Sequence, residues 1–471
     1  MNKYNTLLSN TFFISMGTFG SKLLVFFMVR FYTGYLTPSD YSTADLITQT
    51  ANLLIPIISL GIAEGVFRFT LDSAYDKKSV FSMGIAAIIV GALSFCIIAP
   101  LLGLVNHFSG FVWLIVLYTI CSALHSVCAL FTRARGKTAL FAIQGIFNTA
   151  TVIVLNIIFL AVFDMGVVGY VLSVVIADFC CCLFLFIKEK LWQFITFKPN
   201  KALLPVILKY SIPLIPNTVF WWVTSVSNRY MVTGFIGSEV NGLYTVSYKL
   251  PTLLTLISTV FMQAWQFSAV SESEGNREEH IDFFCKVWSS FQAIMFFAGA
   301  FIIAFSKPLI LILTDKDYYG AWIYVPILSL AMVFSSFSSF MGTVYTVTKK
   351  TNLSLVTTFV GAMLNIILNL ILIPSPLGAQ GAAIATTISY IMVFCIRAWN
   401  SRKYIPFDLK INNILLNSII VIIQAATVVL SVKGWIIIQV VCILLLFVIN
   451  FNFIKQFTAK ILFPIARRIK Q

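Results

Sequence analysis

ALFAIQGIFNTATVIVLNIIFLAVFDMGVVGYVLSVVIADFCCCLFLFIK, residues 139–188, decides the fold. Two apolar runs, 139–163 and 166–187, stand almost back to back, and between Ala139 and Ile187 only Asp164 and Asp178 are charged. Each run reaches the roughly 20 apolar residues that an α-helix needs to cross a hydrocarbon core. The chain therefore crosses a membrane, turns within a few residues and crosses back.

The same pattern extends in both directions. Reading outward gives about fourteen spans by the roughly 20-residue criterion: 7–31, 43–66, 80–104, 111–132, 139–163, 166–187, 207–235, 241–268, 283–305, 322–347, 352–373, 378–398, 412–431 and 434–454. Of all 471 residues, 59% are hydrophobic and 10% charged, far from the roughly 25% charge of soluble domains. The first run continues to Phe31 without a small-residue cleavage pattern, so it is expected to be retained. The fold class is an all-α polytopic membrane protein.

Charge gives an independent test. With the N-terminus inside and sides alternating, the inner segments hold Lys3; Arg68, Lys77, Lys78; Arg133, Arg135, Lys137; and Lys188, Lys190, Lys198, Lys201, Lys209. Further along they hold Arg277, Lys286; Lys349, Lys350; Arg397, Arg402, Lys403, Lys410; and Lys455, Lys460, Arg467, Arg468, Lys470. The outer loops hold Lys307, Lys316 and Lys433, three against twenty-five. Such a bias sets both termini in the cytoplasm. It also accounts for the net charge of +15 without a nucleic-acid partner, because the basic residues are spread through short loops. The nine cysteines lie in or against apolar runs without metal-site spacing, and the three histidines form no catalytic set.

The halves repeat. Thr33-Gly34 matches Thr233-Gly234, Leu155-Asn156 matches Leu368-Asn369, and Gly166-x-x-Gly169 matches Gly378-x-x-Gly381. Spans 1–6 thus overlay spans 7–12 in the same topology, which predicts two six-helix lobes around a central cavity. The lobes are expected at 1–200 and 201–400, with a helix pair and a basic tail over 401–471.

Four cations fall within or near the ends of spans: Lys22, Arg30, Arg229 and Lys249. A charge near the bilayer centre costs at least about 2.5–3.5 kcal/mol, so such groups are expected to face water, an anion or a partner. Pyrophosphate oxygens bind Arg and Lys through charge-assisted hydrogen bonds. The span carboxylates are Asp45, Glu64 and Asp178. Asp45 and Asp178 are candidates to pair with the cations or to carry a coupling proton or sodium ion. Glu64 and Arg68, four apart, are expected to pair on one helix face. Trp222 and Trp265 are candidates for stacking on sugars, and Pro56, Pro213, Pro216 and Pro251 for bending spans.

Several ordered segments carry a family resemblance: Gly20-Ser21-Lys22, the run from Tyr32 to Asp45, Leu60-Gly61-Ile62-Ala63-Glu64-Gly65, Val240-Asn241-Gly242-Leu243-Tyr244, Gln263-Ala264-Trp265 and Leu377-Gly378-Ala379-Gln380-Gly381. With them the whole chain resembles the polysaccharide transporter family of the multidrug/oligosaccharidyl-lipid/polysaccharide exporter superfamily. It departs from that pattern at Ser42, where glycine is usual. The resemblance implies a flippase, not an enzyme, in a bacterial cytoplasmic membrane. It would move undecaprenyl-pyrophosphate-linked oligosaccharide to the outer leaflet by alternating access, with Lys22, Arg30, Arg229 and Lys249 holding the pyrophosphate. Spans 13 and 14 would form a groove for the lipid tail, and the polysaccharide polymerase machinery would be a partner. The alternatives are a cation-coupled multidrug exporter, a peptidoglycan-precursor flippase and, further off, a membrane polymerase or ligase.

Overall fold

The computed structural model describes residues 24–451 except 197–199, 201, 272–276 and 349, with backbone alone for some of these, including 263–271 and 277–280. Every regular element among the described residues is a helix. That is what a bilayer demands of an unclosed fold, since each backbone N–H and C=O must find its partner within its own segment. Eleven described helices, counting those that run on through a short break, are long and apolar enough to span a membrane. The bent pair Pro38–Ile58 and Ile62–Leu71 makes a twelfth. Of the other two expected spans, 7–31 lies largely outside the described residues, and 434–454 contains the apolar helix Trp435–Phe451.

The described chain forms two compact units, one ending at Tyr230 and the other beginning at Met231. The first contains α1 (24–35), α2 (Pro38–Ile58), α3 (Ile62–Leu71), α4 (Lys77–Ile98), α5 (Val112–Ala134), α6 (Thr138–Asn156), α7 (Gly166–Lys188), α8 (Leu203–Ser211) and most of α9 (Ile215–Phe235). The second contains α10 (Ser238–Ser247), α11 (Lys249–Ser271), α12 (Arg277–Ala304), α13 (Ser306–Leu313) and α14 (Val325–Val347). It continues with α15 (Thr351–Leu372), α16 (Ala379–Ser401), α17 (Ile411–Val429) and α18 (Trp435–Phe451). The division falls inside α9, some thirty residues beyond the boundary expected at 200.

Local chemistry sets the breaks. Thr37 caps α2 by accepting from the Asp40 N–H at 3.2 Å, and Pro38 supplies a first-turn residue whose missing N–H costs nothing. Pro56 lies in the last turn, and the helix stops where Leu60 and Gly61 take φ of 52° and 62°. Gly61 N–H closes the end by donating to Pro56 O at 2.9 Å, and α3 leaves at 52° to α2. Proline also breaks the seventh span, where the 3₁₀ turn Ile212–Leu214 joins α8 to α9.

Inside lipid, packing rather than water exclusion holds helices together, and small residues let them approach. In the first unit Ile62, Val66, Phe81, Val127, Phe131 and Ile207 form one buried cluster, and Ala44, Ile47, Ile115 and Val171 belong to another. At Gly91 a β-carbon would lie 2.1 Å from the Ile58 carbonyl oxygen, so α4 and the end of α2 touch backbone to backbone. The second unit is centred on aromatic residues. Trp288 lies 5.0–6.5 Å from Phe291, Phe337, Phe340 and Phe394 and donates its indole N–H to Leu409 O at 3.0 Å.

The two glycine pairs of the repeat have matching jobs. Gly166 and Gly378 take φ of +51° and +55°, and a β-carbon at Gly169 or Gly381 would collide with the segment before it.

Asp76 begins α4 by accepting from the Lys78 and Ser79 N–H groups at 3.3 and 2.9 Å. The Ser79 N–H is the main reason that its carboxyl titrates below the ordinary 3.8. A lowered folded value means that the cap's contribution is complete above the unfolded value and fades as pH falls through the folded one. Asp76→Ala is expected to cost about 1 kcal/mol at neutral pH. Its melting temperature should converge on that of the parent as pH falls below the lowered carboxyl value.

Candidate functional site

One face of α2 and one face of α9 build a charged pair within the first unit. Asp45 and Gln49 are four residues apart on α2, while Trp222 and Arg229 are seven apart on α9, so each couple shares a helix face. Arg229 Nη1 donates to both Asp45 carboxylate oxygens, at 2.7 and 2.6 Å, and both side chains are about nine-tenths buried. Trp222 Nε1 donates to Gln49 O at 3.1 Å. The Tyr230 hydroxyl shares a hydrogen bond of 2.8 Å with Thr50 and reaches Leu46 O at 3.2 Å. Each charge in the pair offsets much of the other's desolvation cost, and that is what makes Arg229 tolerable inside the membrane.

A second cluster joins α5, α6 and α7. Asp178 Oδ1 accepts from Asn148 Nδ2 at 2.8 Å and lies 3.0 Å from His125 Nδ1, while its other oxygen accepts from the Ser122 hydroxyl. His125 Nε2 lies 2.7 Å from Gln144 Oε1. With Gln144 oriented in this way, both ring nitrogens face acceptors, the arrangement of a doubly protonated imidazolium. Turning the Gln144 amide over would suit a neutral ring instead. Both ring nitrogens of His125 thus have a hydrogen-bond partner.

The second unit holds a buried arginine that the sequence reading placed in an inner loop. Arg397 lies within α16 and is 2% exposed. Its guanidinium donates to Thr357 Oγ1 at 2.9 Å, Ser338 O at 3.0 Å, Thr358 Oγ1 at 3.0 Å and Ser354 O at 3.3 Å. The loop assignment is corrected for a simple reason: α16 continues to Ser401, one turn past Arg397, and α14 and α15 cover that turn with hydroxyls and carbonyls. The same unit has a cavity of about 240 Å³ lined by Thr255, Ser258, Thr259, Ser335, Ser336 and Ser339 beside Met262.

The other expected site residues are distributed as follows. Lys22 and the Trp265 side chain lie outside the described residues. Arg30 is exposed on α1, and Lys249 is half-buried as the first residue of α11, just after the break at Tyr248. Asp45 and Arg229 come together, and Asp178 is held in the neighbouring cluster. Trp222 packs against Tyr230 with ring centres 5.4 Å apart and pins α9 to α2. The expected Glu64–Arg68 pair does not form: both side chains are exposed and no ion pair joins them. Exposed pairs of this kind repay little of the entropy needed to hold them. No group of three metal-ligating side chains occurs among the described residues.

The family model described as polysaccharide biosynthesis protein matches residues 27–322, well over half the chain. The chain belongs to the polysaccharide biosynthesis protein family. No curated protein matches this family member in sequence. Solved structures match its fold. The lipid II flippase MurJ in an inward closed conformation superposes with a TM-score of 0.69 at 15% identity, covering 95% of this chain and 99% of that one. An inward-facing multidrug resistance MATE family transporter of the MOP superfamily gives 0.67 at 14% identity, covering 83% and 94%. A MOP superfamily transporter from Pyrococcus furiosus gives 0.59 at 14% identity, covering 84% and 96%. The polysaccharide biosynthesis protein therefore has the MATE/MurJ-like fold of that superfamily.

Two parts of the site escaped sequence reading. His125 is one of three scattered histidines, and its only local signal is Ser122 one turn earlier on the same face. Arg397 carries the ordinary signature of a loop cation. Its acceptors lie 39 to 59 residues away, on other helices.

Proposed function

We propose that this polysaccharide biosynthesis protein is a flippase that moves an undecaprenyl-pyrophosphate-linked oligosaccharide from the cytoplasmic to the outer leaflet by alternating access. The observation that carries the reading is the Asp45–Arg229 pair. It is a cation inside a membrane span whose Nη1 donates to both oxygens of the Asp45 carboxylate. A pyrophosphate brings more negative charge and more acceptor oxygens than Asp45, so it can displace the carboxylate from Arg229. Arg30, Lys249 and Lys22 are the further candidates for phosphate contacts.

The proposed coupling ion is the proton, with the His125–Asp178 cluster of the first unit as the group that holds it. The hydroxyl-lined cavity of the second unit suits a sugar. Thr259, Ser336 and Ser339 donate to carbonyls of their own helices, which leaves their oxygens as acceptors for sugar hydroxyls.

The test is transbilayer movement of a pyrophosphate-linked oligosaccharide lipid in proteoliposomes, read by reagent access to the sugar. Movement is expected, and a pH gradient should accelerate it. Asp178→Asn and His125→Gln are expected to remove the gradient's effect while slow, gradient-independent movement persists. Absence of movement under every gradient would end the flippase reading, and an undiminished gradient response in both variants would end the coupling assignment.

A further inference from the structure

Beside α4 the first unit carries an apolar groove of about 710 Å³, within the roughly 300–1,000 Å³ of ordinary ligand sites. Its long wall is one stripe: Met83, Ala87, Gly91, Ser94 and Ile98 on α4, then Leu102 on the 3₁₀ turn Ala99–Leu104 that continues it. The spacing of three and four residues keeps these side chains on one face. The opposite wall comes from Ile57 and Ile58 at the end of α2 and from Leu204 and Leu208 on α8. Small residues at 87, 91 and 94 hollow out the middle, and contact between Gly91 and the Ile58 backbone sets the floor. Ser94 is the one polar lining side chain, and its hydroxyl donates to Val90 O at 2.9 Å. The groove thus offers hydrocarbon a bed and offers a head group nothing.

Length and charge select the occupant. From Met83 to Leu102 the stripe rises about 30 Å, close to the full thickness of a hydrocarbon core. An acyl chain of a glycerophospholipid lies in one leaflet and would fill about half of that length. At one end of the groove the elements carry exposed cations. Lys77 and Lys78 open α4, and Arg68 is in the last turn of α3. Lys78 precedes Met83 by five residues, about 7.5 Å of helix rise. A long hydrocarbon chain with a strongly anionic head fits both features.

We infer that this groove seats the polyisoprenyl chain of the lipid-linked substrate, with its pyrophosphate at the Lys77 and Lys78 end before transfer to Arg229. This rests on the proposed flippase function, and it sets the groove against spans 13 and 14 as the rival place for the tail.

The test uses a diazirine-bearing polyisoprenyl pyrophosphate as a photolabel on the full chain in nanodiscs, with labelled peptides mapped by mass spectrometry. Labelling is expected within 83–102, displaced by unlabelled polyisoprenyl pyrophosphate and not by phosphatidylglycerol. Ala87→Trp and Ser94→Trp, which fill the groove, should each lower that labelling at least tenfold. Ile97→Trp on the outward face, where Ile97 is 81% exposed, should leave it unchanged. The wild-type competition stands alone if a filled variant fails to fold. Labelling confined to α17 and α18, or equal displacement by phosphatidylglycerol, would overturn the groove and leave the flippase reading intact. No saturable labelling anywhere on the protein would overturn both.

Discussion

Replacing Arg229 with glutamine and Asp45 with asparagine together is expected to leave a folded protein that no longer moves its substrate. The two single variants should behave differently. Arg229→Gln strands a carboxylate and Asp45→Asn strands a guanidinium, and breaking a buried pair from one side costs about 3–5 kcal/mol. Both singles should melt earlier than the parent. The double variant removes both charges, so its stability should return to within about 1 kcal/mol of the parent, since neutral replacements for buried pairs are often close to neutral in energy. Transport should not return with it. Losing a desolvated charge contact to a phosphate costs about 2 kcal/mol or more, at least a tenfold loss of substrate affinity. Melting curves and transport rates for all four proteins separate a structural pair from a substrate-binding one. Wild-type transport by the double variant would make the pair purely structural.

Replacing Arg397 is expected to lower stability about as much as breaking the Asp45–Arg229 pair from one side. Its guanidinium ties α14, α15 and α16 together through hydrogen bonds to neutral acceptors, each strengthened by the charge. Thr357 and Thr358 already donate to the Leu353 and Ser354 carbonyls, so their oxygens have lone pairs turned toward the arginine. Arg397→Met removes the charge together with the bonds and should cost about 3 kcal/mol. Arg397→Lys should cost more. It keeps a buried charge but replaces a planar five-donor fork with a compact ammonium that cannot reach acceptors on two helices at once. Thermal unfolding in detergent is therefore expected to rank the parent above methionine and methionine above lysine. A methionine variant as stable as the parent would show that the network contributes nothing to the fold.

What could be read from the sequence follows from the range of each interaction. Apolar runs are local, so the helical membrane fold and most of its spans are written plainly in stretches such as 139–188. The prolines at 56, 213 and 216 fall where α2 ends and where α8 gives way to α9. Membrane charges are also conspicuous one by one, and Asp45, Asp178 and Arg229 all turn out to matter to the first unit. Their partners are not local. Asp45 and Arg229 are 184 residues apart, and nothing in either neighbourhood names the other. His125 gained its meaning only when α5, α6 and α7 packed together. Arg397 was misread because helix ends and loops carry the same cations, and only the hydroxyls of two neighbouring helices tell them apart.

The central claim is that positive charge inside the membrane receives an anionic lipid head. Its most direct test is the affinity of the full chain in nanodiscs for polyisoprenyl pyrophosphate, measured beside the Asp45→Asn/Arg229→Gln double variant. The account predicts saturable binding by the parent and at least tenfold weaker binding by a double variant of unchanged melting temperature. Equal affinity in the two proteins would contradict it.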